Sequence, residues 1–276
     1  MAGLPGRFDQ RGLRAQTRRL TRPRTISIMG EKATHFGFSE VDPADKAERV
    51  GQVFESVADR YDLMNDLMSL GVHRLWKDFA LARSSVRAGH RVLDVAAGSG
   101  DMTARFAQRV GDTGQVVMTD VNPAMLEQGR KRLIDKGIGS NVEFLLADVE
   151  ALPLIPGGFD CVCIAFGLRN VTRIPKALQS MAQMLRPGGR VVILEFSHPV
   201  SEWLSRAYDL FSFSVIPPLG RMVTGDEASY RYLVESIRRH PDQNRLSQMM
   251  RESGFEDVSY HNLNGGIVAL HLGFRY

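Results

Sequence analysis

Cysteine is scarce in this chain, and so are the spacings that would hold a metal ion. The 276 residues include only two cysteines, Cys161 and Cys163, which lie two apart in a stretch that predicts a strand. Side chains two apart on a strand point to the same face, so a disulfide between them is sterically poor. Buried, reduced thiols in a reducing compartment are therefore expected. No His or Cys spacing supports a metal site, and no metal is predicted.

Long apolar runs and a dispersed positive charge are also missing. No stretch approaches the roughly 18–20 apolar residues that span a bilayer. The 43% of hydrophobic residues still suffices for the core of one domain. The net charge is +4, but the positive charge is concentrated at one end. Residues 1–28 carry seven arginines and one acid, a charge of +6, so the remaining residues carry a net charge of −2. Because the body is mildly acidic, no nucleic-acid partner is expected.

The most informative stretch is RVLDVAAGSGDMT, residues 91–103. A short apolar strand ends at Asp94, and the turn with Gly98, Ser99 and Gly100 then opens a helical pattern. Glycines at such a strand-to-helix turn let the backbone approach a nucleotide closely. A dinucleotide fingerprint would need a third glycine at Thr103, and the negative charge of Asp94 does not suit a pyrophosphate. That carboxylate suits a cationic ligand, which predicts S-adenosyl-L-methionine, with its sulfonium and ammonium groups.

Two further predicted strands also end in an acid. QVVMTD ends at Asp120, twenty residues after Gly100, where a carboxylate accepts the ribose hydroxyls of a nucleoside. NVEFLLAD ends at Asp148, which could accept from an adenine amino group, with Val149 against the ring. Any one acid could instead be a helix cap without a ligand. Three at successive strand ends favour a cofactor site at this edge of the sheet.

The order of the predicted elements indicates an α/β fold. Strands at 159–166 and 190–195 follow the first three, and 255–260 and 265–271 predict a closing hairpin. This is the class I methyltransferase pattern: a Rossmann-like seven-stranded sheet with a C-terminal antiparallel hairpin. We expect a basic tail over 1–34 and a single domain over 35–276. Its predicted parts are a helical N-terminal cap (35–85), a cofactor-binding core (86–200), a substrate lid insertion (201–245), and a final helix with the hairpin (246–276).

Beyond the tail, the chain resembles the ubiquinone/menaquinone biosynthesis C-methyltransferase family, the UbiE type. The resemblance runs from about Thr34 to Tyr276 and is far more specific than the glycine loop. It is carried by VFESVADRYDLMN (53–65), GVHRLW (71–76), FGLRNV (166–171), LEFS (194–197) and YRYLVESIR (230–238).

The resemblance implies a substrate, a reaction and a set of site residues. The substrate is a polyprenylated quinol whose ring carbon is methylated, as in demethylmenaquinol to menaquinol or 2-methoxy-6-polyprenyl-1,4-benzoquinol to its methylated product. Methylation of such a ring needs stabilisation of a developing oxyanion, and we expect Arg169 to supply it while Asn170 and Tyr61 orient the oxygen. The resemblance places cofactor contacts at Ser99, Asp120, Asp148, Val149 and Ala165, and the glycine loop adds Asp94, Gly98 and Gly100. Families of this type often have a serine at 165, so Ala165 offers only its backbone.

Two features leave the location of the protein open. The apolar stretch 203–216 could be a buried lid helix, a channel for an isoprenoid tail, or a patch against a membrane. The arginines of 1–28 fit a mitochondrial transit peptide or a surplus start ahead of Met29. Eukaryotic proteins that this chain resembles carry an insertion before the second strand, whereas here residues 110–114 connect directly to it. We therefore favour a bacterial cytoplasmic protein over one of the mitochondrial matrix. It would be peripheral on the inner membrane or part of a quinone-biosynthesis complex. An O-methyltransferase of a small phenol or sterol, or a non-catalytic cofactor-binding scaffold, remain as alternatives.

Overall fold

A twisted sheet with helices on both faces organises the chain. The structure, a computed structural model, describes residues 34–57, 66, 69, 71–214, 218, 221 and 227–276. Residues 32–276 form one compact unit. The strands are β1 (Thr34–Phe36), β2 (Ser39–Val41), β3 (Arg91–Val95), β4 (Gln115–Asp120), β5 (Val142–Leu146), β6 (Phe159–Ala165), β7 (Leu185–Phe196), β8 (Glu256–Leu263) and β9 (Val268–Arg275).

Helices connect these strands in the alternating order that the sequence predicts. The α-helices in the described residues are α1 (Pro43–Val57), α2 (His73–Arg83), α3 (Asp101–Val110), α4 (Pro123–Asp135), α5 (Ile174–Met184), α6 (Glu202–Ser214), α7 (Glu227–Arg239) and α8 (Gln243–Glu252). Asn122 caps α4: its side chain accepts from the backbone N–H groups of Ala124 and Met125, and Pro123 begins the helix.

The main sheet has the order β5-β4-β3-β6-β7-β9-β8. β3 to β7 are parallel, while β9 is antiparallel to both β7 and β8. The predicted α/β fold with a C-terminal antiparallel hairpin is therefore confirmed. Because the carboxyl ends of β3, β4 and β6 meet at one edge, the loops that follow them lie together.

Alternating strand residues feed two cores, one on each face of the sheet. Val92, Met118 and Cys163 pack on one face with helices α2, α3 and α7. Leu93, Val117 and Ile164 pack on the other face with α5 and α8. Both cysteines lie on the first face, reduced and buried as expected. Burial raises the thiol pKa of both well above its ordinary value.

Several boundaries differ from the prediction. Residues 35–41 were predicted as part of a helical cap and Thr34 as the end of the tail, but β1 and β2 form an antiparallel hairpin there, paired from Thr34–Val41 to Phe36–Ser39. Strands of three residues are too short to produce a periodic signal. β5 ends at Leu146, so Asp148 does not end a strand. It caps the 3₁₀ turn Val149–Ala151 instead.

The predicted lid region contains two helices, α6 and α7, in its described residues. α7 is buried along one face, with Tyr230, Leu233 and Ile237 in the core. α6 leaves Trp203 and Leu210 largely exposed. Among the described residues, no helix is long and apolar enough to cross a membrane.

Candidate cofactor and acceptor site

A cleft of about 260 Å³ opens at the carboxyl edge of the sheet. Helix α1 contributes Val50 and Gly51 to its wall, and Asn122 Nδ2 donates to the Gly51 carbonyl at 3.4 Å. Helix α1 therefore lies against the cleft. The remaining lining residues follow the strand ends: Ala96, Gly98, Asp120, Val121, Asn122, Pro123, Met125, Ala147, Asp148, Val149, Glu150, Phe166, Gly167, Asn170, Val171 and Thr172.

The glycine loop connects β3 to α3 through residues in the left-handed region. Gly98 has φ of 57° and Gly100, the residue before α3, has φ of 74°. A Cβ at Gly100 would lie 3.3 Å from Leu133 Cδ1, so the loop is packed tightly from below. Gly129 of α4 permits this approach, because a Cβ there would lie 2.9 Å from the Gly98 carbonyl oxygen. The sequence analysis did not identify Gly129, although a glycine inside a helical pattern is a signal of close packing.

Two non-glycine residues in the cleft wall also have positive φ. Ala96, directly after β3, has φ of 49°, and Phe166, directly after β6, has φ of 58°. Such backbone strain occurs mainly where a ligand site requires it. The two turns pack against each other, since a Cβ at Gly167 would lie 2.8 Å from Ala96 Cβ. The sequence carried no signal for this strain.

Asp120 lies in the cleft wall with each carboxylate oxygen held by the backbone. Oδ2 accepts from Gly98 N at 2.8 Å and Oδ1 from Asn122 N at 2.9 Å. Burial raises the pKa of Asp120, although the backbone hydrogen bonds lower it. A carboxylate oxygen accepts more than one hydrogen bond, so both oxygens retain acceptor capacity for ribose hydroxyls.

Asp94 lies in the core beside the glycine loop and is 1% exposed. Its Oδ2 accepts from Thr103 Oγ1 at 2.6 Å, while Oδ1 has no hydrogen-bond partner in the described part of the chain. Burial raises the pKa of Asp94 to about 7, against the hydrogen bond from Thr103 and the charge of Lys77. A buried carboxylate with an unused oxygen fits a cationic group.

The other predicted cofactor residues divide between the cleft wall and its support. Asp148 is exposed in the wall, its Oδ1 accepting from Glu150 N at 2.9 Å, and Val149 is buried beside it. Ser99 is buried behind the loop, where its hydroxyl accepts from Arg132 Nη1 at 3.0 Å. Gly100 and Ala165 are likewise not among the lining residues.

The predicted catalytic residues occupy different depths. Asn170 lies in the cleft wall, and its Oδ1 accepts from the Tyr232 hydroxyl at 3.0 Å. Arg169 is buried behind it, with its guanidinium 2.8 Å from Glu195 Oε1 and both side chains at most 2% exposed. The Arg169 backbone N–H also donates to Glu195. Tyr61 lies outside the described residues.

Two of these partners, Glu195 and Tyr232, had no assigned role in the sequence analysis. Glu195 is one residue from the end of β7, so the rule that identified Asp120 applies to it as well. Tyr232 comes from the middle of α7, where nothing local distinguishes it from a core aromatic. Metal ligands are not grouped in the described part of the chain: no three His, Cys, Asp or Glu side chains come together there.

Solved structures with this architecture belong to one fold class. A SAM-dependent methyltransferase from Aquifex aeolicus matches 86% of this chain and all of its own, with a TM-score of 0.55 and 15% identity. A phosphoethanolamine N-methyltransferase 2 from Haemonchus contortus, solved with S-adenosyl-L-methionine, matches 72% of this chain and 52% of its own, with a TM-score of 0.54 and 14% identity. The fold is that of the class I methyltransferases, as predicted.

Sequence similarity narrows the class to one family. The sequence model of the ubiE/COQ5 methyltransferase family matches residues 43–275. A ubiquinone/menaquinone biosynthesis C-methyltransferase UbiE from Pseudomonas aeruginosa is 57% identical over 245 residues, which are 89% of this chain and 96% of the relative. The protein of that name from Pseudomonas fluorescens is 56% identical over the same extent. The chain belongs to the ubiE/COQ5 methyltransferase family, and its methyl donor is S-adenosyl-L-methionine, as predicted.

Proposed function

We propose that this protein methylates a ring carbon of a polyprenylated quinol in ubiquinone or menaquinone biosynthesis. Family membership over residues 43–275 carries the proposal, and relatives of more than half identity have names that specify this reaction. The acceptors are demethylmenaquinol and 2-methoxy-6-polyprenyl-1,4-benzoquinol. Both are reduced rings, which supplies the electron-rich carbon that the chemistry requires.

The cleft supports a specific arrangement of the cofactor. Asp120 accepts the ribose hydroxyls, Asp148 the adenine amino group, and Val149 packs on the adenine ring. Gly98, Ser99 and Gly100 shape the loop beside the amino-acid moiety, with the backbone of Ala165 opposite. The unused Oδ1 of Asp94 supplies a negative charge for a cationic group of the cofactor.

The reaction needs the quinol in its electron-rich form. A phenol ionises near pH 10, so the site must favour the quinolate. The ring carbon would then form a bond to the methyl group as the sulfonium–methyl bond of the donor breaks, with S-adenosylhomocysteine as the leaving group, and it would afterwards lose its own proton to solvent, which restores the aromatic ring. The side-chain amide of Asn170 orients the acceptor oxygen from the cleft wall. We keep for Tyr61 the orienting role that the chemistry of the oxyanion suggested.

We assign Arg169 a positioning role rather than direct contact with the oxyanion. Its guanidinium is committed to Glu195, is 1% exposed, and also donates to the Phe166 carbonyl. That contact fixes the strained Phe166 turn from below. Because Asn170 follows Arg169 directly, the pair with Glu195 determines where the Asn170 amide lies. The positive charge still contributes to the potential around the acceptor.

The exposed side of α6 supports contact with a lipid surface. Trp203 and Leu210 are 72% and 68% exposed, and Phe213 is 41% exposed. Val200 precedes the helix and is 66% exposed. A polyprenyl substrate resides in a bilayer, so we propose that these apolar side chains hold the protein peripherally on a membrane, in the bacterial cytoplasm.

Methyl transfer to a short-chain quinol, with and without dithionite, tests the reaction. We expect label on a ring carbon, located by NMR, and transfer only to the reduced ring, because a quinone carbon is electrophilic. Asn170→Ala should lower turnover by about 10²–10³ while the cofactor affinity stays nearly constant. Label on oxygen, or equal transfer to the oxidised quinone, would refute the proposal. Asn170→Ala turning over at the wild-type rate would remove only the role of that residue.

A further inference from the structure

Helix α1 carries a buried ammonium group beside the cleft. Lys46 is 6% exposed, and its Nζ donates to the Val171 carbonyl oxygen at 2.9 Å. Val171 lies in the cleft wall directly after Asn170. Lys46 is one helical turn before Val50, and Val50 and Gly51 are the α1 residues that line the cleft. Lys46 is not itself a lining residue, so its ammonium lies next to Val171, at the end of the cleft that we assign to the acceptor.

This ammonium has no carboxylate partner within salt-bridge distance in the described part of the chain. The acid whose charge acts on it is Glu150, whose oxygens are occupied by Arg173: Oε1 accepts from the Arg173 backbone N–H at 2.8 Å and Oε2 from Arg173 Nε at 2.6 Å. Burial lowers the pKa of Lys46 to about 8, although the charge of Glu150 raises it. A buried charge without a close counter-charge is costly, so proteins keep one mainly where a ligand compensates it.

A second unsatisfied group lies within electrostatic reach. His240, at the end of α7, is 4% exposed, and neither ring nitrogen has a hydrogen-bond partner in the described structure. Burial lowers the pKa of His240, and the charges of Arg169, His271, His198 and Lys46 act in the same direction. Together they bring it to about 3. Buried polar atoms are almost always hydrogen-bonded, so these nitrogens require a polar partner.

Two of these groups create a positive potential near Asn170. Lys46 comes from α1 and Arg169 from the turn after β6, while His240, with its pKa lowered to about 3, is neutral and adds no charge. Glu195 and Glu150 are the opposing acids, and each is already paired with an arginine. A phenol that enters this region loses solvation, which opposes ionisation, but it gains an ammonium with donors to spare.

We propose that Lys46 is the cation that binds the quinolate oxygen of the acceptor during methyl transfer. The proposal rests on the function proposed above, and it assigns to Lys46 the oxyanion contact that the buried Arg169 does not make. In the free protein the ammonium is held by the Val171 carbonyl. In the complex it keeps that bond and donates a second N–H to the acceptor oxygen, with the Asn170 amide on the same oxygen.

Two substitutions of Lys46 separate charge from packing. Lys46→Met removes the charge at similar length, and Lys46→Arg keeps it. We expect turnover to fall by about 10²–10³ in Lys46→Met and by much less in Lys46→Arg. Lys46→Met should also resist urea at least as well as the wild type, because an unpaired buried charge is removed. A residue that merely holds α1 in place would instead lose stability together with activity.

Two matched controls address the alternative roles. Lys176→Met changes an exposed lysine on α5 and should leave turnover unchanged. Thr34→Val removes an uncharged hydrogen bond to the neighbouring backbone carbonyl, the one from Thr34 Oγ1 to Thr172 O at 3.4 Å. It is the uncharged counterpart of the hydrogen bond from Lys46 to Val171 O. A loss in Thr34→Val as large as that in Lys46→Met would assign the effect to the lost hydrogen bond and overturn the proposal.

The anionic group that Lys46 binds could be the carboxylate of the cofactor instead of the quinolate oxygen of the acceptor. Calorimetry with S-adenosylhomocysteine distinguishes the two. We expect its affinity in Lys46→Met to stay within about threefold of wild type, a difference below 1 kcal/mol. A loss of more than about tenfold, with turnover restored at saturating cofactor, would assign Lys46 to the cofactor carboxylate and refute the proposal.

A bound phenol gives a readout that does not need turnover. A prenylated 2-methoxyphenol, bound together with S-adenosylhomocysteine, reports its ionisation by ultraviolet difference absorbance. Its pKa should be lower on the wild type than on Lys46→Met, with Lys46→Arg close to wild type. Equal pKa values on all three proteins would overturn the inference. A wild type that ionises the phenol but methylates no quinol would instead refute the proposed reaction.

Discussion

The two halves of the proposed site differ in how they are built. The half that we assign to the cofactor, the cofactor half, consists of loops that directly follow β3, β4 and β5, and its key contact joins neighbouring loops through the backbone, from Gly98 to Asp120, 22 positions apart. The half that we assign to the acceptor, the acceptor half, is assembled from α1, α7 and the ends of β6 and β7. Its contacts join residues much farther apart in sequence: Tyr232 and Asn170 are 62 positions apart, and Lys46 and Val171 are 125 apart. Local sequence therefore specifies the first half, and tertiary packing specifies the second.

The largest effect is expected where the acceptor half depends on its buried ion pair. Arg169→Ala leaves the Glu195 carboxylate buried without its partner, so we expect a loss of about 3–5 kcal/mol in the free energy of unfolding. Urea denaturation measures it. The double variant Arg169→Met/Glu195→Leu should recover much of that stability but not the activity. Wild-type stability in Arg169→Ala would mean that the pair does not hold this half together.

In the cofactor half, Asp120 should dominate the binding energy. Asp120→Ala removes two charge-assisted hydrogen bonds to the ribose, and we expect cofactor binding to weaken by roughly 2–4 kcal/mol. Asp148→Ala should cost less, because that carboxylate is exposed. Asp135→Ala, an exposed acid at the end of α4, is the matched control. Calorimetry that finds unchanged affinity in Asp120→Ala would exclude the ribose assignment.

The pH dependence of cofactor binding provides a smaller effect in the same half. The pKa of Asp94 is raised to about 7, so below that pH the carboxyl is mainly protonated in the folded protein without ligand. The bound proton stabilises the folded state. This stabilisation is complete below the ordinary Asp pKa and is lost as the pH rises through about 7. A cationic ligand prefers the ionised form, so cofactor affinity should increase from pH 6 to pH 8.

Two substitutions check this dependence. Asp94→Asn should abolish it, because no proton is left to release. Thr103→Val removes the hydrogen bond to Asp94 that lowers the pKa and should move the dependence to higher pH. An affinity that is flat with pH in the wild type would show that the Asp94 charge plays no part in binding.

Removal of residues 1–28 should have the smallest effect. This segment has no core-forming pattern, and the family match begins later, at residue 43. A protein that starts at Met29 should keep the unfolding midpoint and the turnover of the full chain. Loss of either would show that the arginines contribute to one half of the site.

The strands whose bounds could be predicted are those that local sequence specifies. The bounds of β4 were predicted exactly, because its apolar run ends at an acid and is followed by a capped helix. The hairpin of β1 and β2 was not predicted, since its three-residue strands depend on partners elsewhere. β7 begins at Leu185, five residues before the predicted start, and its register with β6 shifts between Leu185 and Arg190.

The site follows the same division. Gly98, Asp120, Asp148 and Val149 were predicted and all lie in the cleft wall. Lys46 was not, because a lysine in an amphipathic helix is ordinarily a solvated residue, and only the packing of α1 against Val171 buries it. The strained Phe166 turn and the depth of Arg169 also depend on contacts made by the whole fold.

The two cysteines of β6 have a consequence for a protein that handles quinols. An oxidised quinone is a Michael acceptor, and the nucleophile that it captures in proteins is the thiolate. Cys161 and Cys163 are at most 1% exposed, and burial keeps both thiols protonated. The chain has no third cysteine to offer. A molecule of substrate that oxidises to the quinone inside the site therefore meets neither of the two thiols of the chain.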